Sequence, residues 1–157
     1  MNTILRVNDL VTTFRYGKKD IPVVNGVSFE VHEGEILGIV GESGCGKSVT
    51  ASSIMQLLPK LSRIESGAIT YHSEKGDIRI DQLPRNGKEM RALRGRDIAM
   101  IFQDPMTFLN PVLRIETQLM EPILNHMDIS KEEAKKRAIE LMRKVGIPSP
   151  EARIRQY

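Results

Sequence analysis

The hydrophobic residues of this chain recur with two different spacings, and the spacing changes near Gln103. Before Gln103, short stretches alternate apolar and polar residues, which is the pattern of half-buried strands. Beyond Pro111 the apolar residues recur every three or four positions, which is the pattern of amphipathic helices. Four segments of the first part predict alternating or short strands: residues 4–10, 23–31, 67–71 and 77–80.

Two further segments are apolar without alternation. "EILGIV" at residues 35–40 and "DIAMIF" at residues 97–102 predict strands that are buried on both faces of a parallel sheet. Residues 48–58 predict a helix that Pro59 ends. The basic stretch 85–96 predicts a turn and a short helix whose cationic side chains form a solvated face: Lys88, Arg91, Arg94 and Arg96.

The second part predicts three helices. Residues 112–125 carry the first, and Ser130 with Glu133 forms a capping box that opens the second. Ser149 predicts an N-cap for a third helix. The second helix should present one apolar stripe, ended by Gly146 and Pro148: Ala134, Ala138, Leu141, Met142 and Val145. Together these patterns predict an α/β fold, with a mainly parallel sheet, an antiparallel layer from the N-terminal segments and a helical lobe.

A glycine-rich sequence, "VGESGCGKSV" at residues 40–49, joins a predicted strand to a predicted helix. Glycines allow left-handed dihedrals and close approach of a ligand to the backbone. The spacing Gly41-x-x-x-x-Gly46-Lys47-Ser48 is that of the P-loop, in which backbone N–H groups cradle phosphates. The helix after this loop adds its partial positive charge to the same place. The sequence therefore predicts a site for nucleotide phosphates.

Composition narrows the class of protein only slightly. The 157 residues carry a net charge of +3 and 4% aromatic residues, which gives no argument for a nucleic-acid partner. The single cysteine, Cys45, excludes an internal disulfide and is typical of a reducing compartment. We find neither a signal-peptide pattern at the N-terminus nor an apolar run of the ~20 residues that span a bilayer. A cytosolic protein is expected.

Three stretches together resemble the ATP-binding subunits of ABC transporters. They are "LGIVGESGCGKSVTASSIMQLLP" from residue 37, "IFQDPMTFLNPVLRI" from residue 101 and "VGIPSPEARIRQY" from residue 145. The similarity is closest to subunits that serve oligopeptide, dipeptide and nickel importers, and it spans nearly the whole chain. The resemblance implies a P-loop NTPase core with a mixed sheet at residues 1–103 and the start of a helical subdomain at residues 104–157.

The resemblance also implies roles for individual residues. Residues 41–48 would wrap the β- and γ-phosphates of ATP, with Lys47 neutralising their charge and Ser48 on Mg²⁺. Gln103 would reach the metal and the attacking water and sense the membrane partner. Phe14 would stack on adenine, with Tyr16 as the alternative. The complete set of cofactor-binding residues that it implies is Phe14, Gly41, Glu42, Ser43, Gly44, Cys45, Gly46, Lys47, Ser48 and Val49; the catalytic pair is Lys47 and Gln103, and the metal ligands are Ser48 and Gln103.

Membership of such an importer implies partners and a location. The partners would be transmembrane permease subunits, a second ATP-binding subunit and, indirectly, a solute-binding protein. The location would be cytoplasmic and peripheral, on the inner face of the cell membrane. The family's signature motif, its acidic strand end and a later histidine have no counterpart in the 157 residues. The resemblance therefore implies an incomplete subunit, which alone should not hydrolyse ATP.

Two other functions fit the P-loop as well. One is a soluble nucleotide or metabolite kinase, although a kinase has no reason to carry "FQDPMTFLNP" at residues 102–111. The other is a nucleotide-binding module without enzymatic activity, which uses the half-site alone. The module and the transporter subunit would differ only in the sequence beyond Tyr157.

Overall fold

A computed structural model describes residues 2–103 and 109–157 of the chain. Its Cα positions form two compact units, Met1–Arg94 and Gly95–Tyr157. The predicted boundary between a nucleotide-binding core and a helical subdomain, after Gln103, falls inside the second unit, and it stays a prediction.

The first unit is built on four antiparallel strands. They are β1 (Thr3–Tyr16), β2 (Lys19–His32), β3 (Ser62–Ser73) and β4 (Gly76–Arg79), in the spatial order β2-β1-β3-β4. The four strands predicted from alternation are confirmed, and three of them extend well beyond the predicted bounds. The alternating segments form an antiparallel layer because one face of each strand packs on a core and the other meets water.

The core of this unit lies between the sheet and two helices. Helix α1 (Lys47–Ile54) ends earlier than predicted, because Gln56 takes a left-handed conformation with φ of 52°. Helix α2 (Lys88–Leu93) lies in the predicted basic stretch. The buried apolar side chains come from the sheet, from helix α2 and from the segments that follow α1 and β4: Val7, Leu10, Val24, Met55, Leu58, Ile69, Ile80, Met90 and Leu93.

The predicted parallel strands are wrong. Residues 35–40 and 97–102 belong to no strand, and the sheet of the described residues is antiparallel throughout. Ile36 and Val40 are 97% and 96% exposed, and Ile101 is 94% exposed. An apolar run becomes a buried strand only where neighbouring strands flank it, and none of the four strands of the described residues pairs with either segment.

The described residues of the second unit form three helices around a small core. They are α3 (Ile115–His126), α4 (Lys131–Lys144) and α5 (Pro150–Arg153). The predicted capping box is confirmed, because Ser130 Oγ accepts from the Glu133 N–H at 3.2 Å and the Ser130 N–H donates to Glu133 Oε2 at 2.9 Å. The buried core residues are Met120, Ala134, Ala138, Met142 and Ile154.

Part of the predicted stripe on α4 is wrong. Leu141 and Val145 are 47% and 74% exposed, and they line a cavity of about 660 Å³ beside α3. Ala134, Ala138 and Met142 lie four residues apart on one ridge of the helix, and this ridge is buried, with Ile139 half-buried against the same core. The third helix is confirmed, but Ser149 takes φ of 50° and its side chain makes no cap. Over the described ranges, no helix is long and apolar enough to cross a membrane.

Asp81 ties the 3₁₀ turn Ile80–Gln82 to the sheet. Its carboxylate, 9% exposed, accepts from the Ile69 N–H at 2.8 Å and from Arg79 Nε and Nη2 at 2.9 and 2.7 Å. Burial alone would raise the pKa of Asp81, but the hydrogen bonds from Arg79 and Ile69 outweigh it and the pKa is lowered. The stabilisation is therefore present above the ordinary value of 3.8 and is lost as the pH falls through the lower folded-state value.

We expect Asp81→Asn to reduce the free energy of unfolding by about 1 kcal/mol or more at pH 7, because a charged acceptor is lost from two partners. The difference from the parent chain should shrink as the pH falls below 3.8. Urea unfolding followed by circular dichroism at several pH values measures both effects. Glu74→Gln is the control and should change less, because this exposed carboxylate between β3 and β4 makes no hydrogen bond or ion pair among the described residues. A difference that stays constant down to acid pH would contradict the role of the charge.

Candidate functional site

The backbone of residues 41–46 has the geometry of an anion-binding loop. Gly44 and Gly46 have φ of 84° and 95°, while Cys45 between them has an ordinary negative φ. Alternation of this kind turns successive N–H groups toward one side and makes a concave nest for an anion. Helix α1 begins directly afterwards at Lys47 without a side-chain cap, so its first N–H groups have no acceptor within the helix. Loop and helix together offer a cluster of donors.

Lys47 folds back over this loop. Its Nζ donates to the carbonyl oxygens of Gly41 and Glu42 at 2.6 and 2.7 Å, and it lies 3.5 Å from Cys45 Sγ. The ammonium group is thus held by two neutral acceptors of the loop itself. A phosphate oxygen that replaced them would form a stronger, charge-assisted hydrogen bond.

Ser48 presents an exposed hydroxyl in the first turn of α1. Among the residues that the structure describes, this hydroxyl makes no hydrogen bond, so its oxygen is available to a hard cation such as Mg²⁺. Val49 follows with an apolar side chain and offers only its backbone N–H. Ser43 is exposed at the tip of the loop.

A buried pair of hydroxyl groups joins α1 to the sheet. Thr12 Oγ1 and Ser53 Oγ lie 2.9 Å apart, and both residues are fully buried. Since Ser53 Oγ donates its one proton to the Val49 carbonyl at 2.7 Å, Thr12 must donate to Ser53. The sequence analysis missed this pair, because a threonine in a strand and a serine in a helix give no signal that they meet.

Arg94 closes the other end of α1. Its Nε and Nη2 donate to the carbonyl oxygens of Met55 and Gln56 at 2.8 and 2.9 Å. A cation is favourable there, because the last carbonyl groups of a helix carry partial negative charge. Burial lowers the pKa of Arg94, and repulsion by Arg85 adds to this. The predicted solvated face is therefore wrong for Arg94, whereas Lys88, Arg91 and Arg96 are exposed as predicted.

The loop also touches strand β2 at an irregular position. Thr12 pairs with Val24 and Thr13 with Pro22, so Val23 is the extra residue of a bulge. A Cβ atom on Gly46 would lie 2.7 Å from the Val23 carbonyl oxygen. Position 46 therefore requires glycine for two reasons: its positive φ, and the close approach of its Cα to the bulge of β2.

Phe14 lies on the face of the sheet that carries α1. It follows Thr12 by two residues, and the β1–β3 register is unbroken from Thr12 to Phe14, so both side chains share one face. Phe14 is half-buried, whereas Tyr16 is exposed at the end of β1. Gln103 is an exposed residue of the second unit. Asp104 and Pro105, which accompany it in the predicted motif, lie outside the described residues.

A nest followed by a lysine at the start of a helix defines the P-loop class of nucleotide-binding proteins, and comparison with known proteins gives the family. The sequence profile described as "ABC transporter" matches residues 24–157. This chain therefore belongs to the ABC transporter family. The chain is 44% identical over 155 residues to the oligopeptide transport ATP-binding protein OppD of Bacillus subtilis, covering 98% of this chain and 42% of that protein. It is 45% identical over 158 residues to the dipeptide transport ATP-binding protein DppD of the same organism, covering 100% and 45%.

Solved structures support the same fold. A dimeric bacterial ABC transporter cassette matches with a TM-score of 0.78 at 22% identity, over 98% of this chain and 61% of that one. A dimeric cassette in a post-hydrolysis state, bound to ADP and Pi, matches with a TM-score of 0.75 at 21% identity. The predicted fold class and the resemblance to ABC ATP-binding subunits are confirmed, and the soluble kinase loses its support. The chain spans less than half the length of the curated relatives named above.

We expect Gly46→Ala to destabilise the first unit more than Gly44→Ala does. Both glycines have positive φ, so both substitutions introduce backbone strain, but only a Cβ at position 46 meets the Val23 carbonyl; no atom lies within 4 Å of one at position 44. The excess loss in free energy of unfolding should be about 1–3 kcal/mol, the usual cost of overpacking. Urea unfolding of both variants measures it. Equal losses would show that the contact with β2 does not hold the loop.

Proposed function

We propose that this chain is the ATP-binding part of an ABC importer subunit, which couples the binding and hydrolysis of ATP to the uptake of peptides. The observation that carries the proposal is the nest and helix start at residues 41–48, in a chain 44–45% identical over nearly all its length to subunits named for oligopeptide and dipeptide transport. Nickel is the alternative solute that the initial resemblance leaves open.

The P-loop would bind the triphosphate by exchanging partners. The Lys47 ammonium leaves the Gly41 and Glu42 carbonyls and takes up the β- and γ-phosphate oxygens, while the N–H groups of the nest face the same oxygens. The Ser48 hydroxyl would be a ligand for Mg²⁺, and the metal would supply positive charge to the phosphates. Phe14 stacks on adenine from the face of the sheet on which α1 packs.

Gln103 is the second catalytic residue in this proposal, beside Lys47. Its side chain would contact the metal and the attacking water, and it would relay the state of the nucleotide to the membrane partner. The support is that Gln103 is exposed and is part of the sequence "IFQDPMTFLNPVLRI" that resembles the family motif. Such a residue affects hydrolysis by positioning water and not by accepting a proton.

The assembled importer supplies the remaining parts. We propose transmembrane permease subunits and a second ATP-binding subunit as direct partners, and a solute-binding protein as an indirect one. The location is the cytoplasmic face of the membrane. The support is that the relatives are named transport ATP-binding proteins and that the matching solved cassettes are dimers.

A chimeric subunit tests the proposal. The aligned part of this chain replaces the corresponding 155 residues of Bacillus subtilis OppD in a strain that lacks this protein, and the uptake of a labelled oligopeptide is measured. We expect the chimera to restore uptake. Lys47→Ala in the chimera should abolish it, because the β- and γ-phosphates lose their cation.

Lys60→Ala, at an exposed lysine beyond helix α1, is the matched control and should leave uptake unchanged. Expression and membrane association of each variant are followed by immunoblot, so a loss of uptake is not confused with a loss of protein. Uptake that survives Lys47→Ala would refute the ATP-dependent role. ATP hydrolysis without uptake would refute the peptide part of the proposal.

The chain by itself should not turn over ATP. Residues 41–48 offer the phosphate cradle and one hydroxyl for the metal, but hydrolysis also needs carboxylates that hold Mg²⁺ and orient water. Those groups would come from the larger part of the relatives that this chain does not cover. Phosphate release from the purified chain, with Lys47→Ala as the control for contaminating ATPases, measures the activity. Steady multiple turnover that the substitution abolishes would show a complete enzyme.

A further inference from the structure

An ion-pair network spans three strands at the end of the sheet that carries Phe14. It consists of four side chains, one from β1, one from β2 and two from β3: Arg15, Asp20, Arg63 and Glu65. Asp20 is its centre, because Oδ1 lies 3.5 Å from Arg15 Nε and Oδ2 accepts from Arg63 Nη2 at 3.0 Å. Arg63 also donates from Nε to Glu65 Oε2 at 2.8 Å. The carboxylate of Asp20 therefore joins β2 to β3 across β1.

The network lies on the reverse face of the sheet from Phe14. Arg15 pairs with Asp20, and Thr13 pairs with Arg63. Opposite residues of antiparallel strands share a face, and residues 13 and 15 are two positions apart, so these side chains lie on one face. Phe14, which stands between them in the strand, points to the other face. The network thus backs the position from which Phe14 projects.

Phe14 lies where the sheet narrows from three strands to two. It pairs with Ile21 of β2 and with Ser62, the first residue of β3. One further backbone bond joins the Arg15 N–H to the Leu61 carbonyl at 2.7 Å. Beyond it the β1–β2 hairpin continues as two strands, and a two-stranded hairpin is only marginally stable by itself. Contacts between side chains at this end therefore have a large share in fixing Phe14.

Asp20 also balances a cluster of cations. Arg15, Lys60 and Arg63 line one cavity of about 260 Å³, and the Lys60 side chain makes no hydrogen bond or ion pair among the described residues. The Asp20 side chain is 28% exposed, against 54% for Arg15 and 51% for Arg63, so water screens its charge least. Without this carboxylate, like charges on β1 and β3 would face one another, which destabilises the pairing of the strands.

We propose that Asp20 is a positioning residue for nucleotide binding, which holds Phe14 where the base stacks by means of the ion-pair network. It acts on the base and not on the phosphates. The phosphate loop has supports of its own, at Val23, Ser53 and Arg94, and none of these contacts is part of the network. The inference rests on the proposed stacking of Phe14 on adenine, and it does not depend on the import of peptides.

Equilibrium binding of two ligands to the full 157-residue chain tests this role. ATP with Mg²⁺ reports on base and phosphates together, whereas tripolyphosphate with Mg²⁺ reports on the phosphate site alone. We expect Asp20→Asn to weaken the binding of ATP by about threefold or more, because Phe14 loses its fixed position, and to leave the binding of tripolyphosphate unchanged. Asp20→Glu keeps the charge and should recover part of the loss.

A double-mutant cycle separates positioning of Phe14 from a general loss of stability. In a chain that already carries Phe14→Ala, the further change Asp20→Asn should not weaken ATP binding, because the residue through which it acts is gone. Glu30→Gln is the matched control. Glu30 forms an ion pair with Arg6 at 2.8 Å between the same two strands, at the other end of their pairing, and its loss should leave both affinities unchanged.

Several results would overturn the proposal. They are equal weakening of ATP and tripolyphosphate, a loss that persists in the Phe14→Ala chain, and a loss of the same size in Glu30→Gln. If Phe14→Ala alone leaves ATP affinity unchanged, the stacking and this inference fall together. A parent chain that binds neither ligand would refute the phosphate site, and the inference with it. A chimera that takes up no peptide, beside the expected effects on ATP binding, would refute the import function and leave this inference standing.

Discussion

The seating of helix α1 on strands β1 and β2 determines where the phosphate loop lies. The hydroxyl pair of Thr12 and Ser53 fixes the middle of the helix to β1, in a fully buried site where an unpaired hydroxyl would cost free energy. Arg94 holds the last carbonyl groups of the helix, and Gly46 rests on the β2 bulge at its start. With both ends and the middle fixed, the direction of the first N–H groups is set before any phosphate arrives. The backbone N–H donors can therefore bind an anion without a rearrangement of the helix.

The loop itself is ordered by internal hydrogen bonding. Lys47 Nζ is the donor to the Gly41 carbonyl, and it shares the Glu42 carbonyl with the Cys45 N–H, which donates at 3.4 Å. The same contact keeps the lysine close to the position in which a phosphate group would meet it. Binding then exchanges two neutral acceptors for charged ones at small cost in side-chain entropy, because the ammonium group is already localised.

Local signals in the sequence predicted the local parts of the structure. The capping box of Ser130 and Glu133 lies within four residues, and the alternation that predicted the antiparallel strands is read inside each strand. The P-loop is of the same kind, because its glycines, lysine and serine are neighbours. The contacts that position the P-loop, however, join residues that are far apart in the sequence. Thr12 and Ser53 are 41 positions apart, and Arg94 is 39 positions from Met55, so no periodicity within one element could pair them.

The failed strand prediction at residues 35–40 has a different physical origin. Apolar residues on both faces report burial from both sides, and that burial depends on neighbours which the described residues do not supply. Leaving Ile36 and Val40 in water forgoes about 1.5–3 kcal/mol for each side chain. Whole domains are stable by only about 5–15 kcal/mol, so the free energy forgone at these two side chains is large on that scale. The antiparallel layer and α1 persist because their hydrogen bonds and core lie within one unit, whereas residues 36–40 form no ladder with the strands of the described residues.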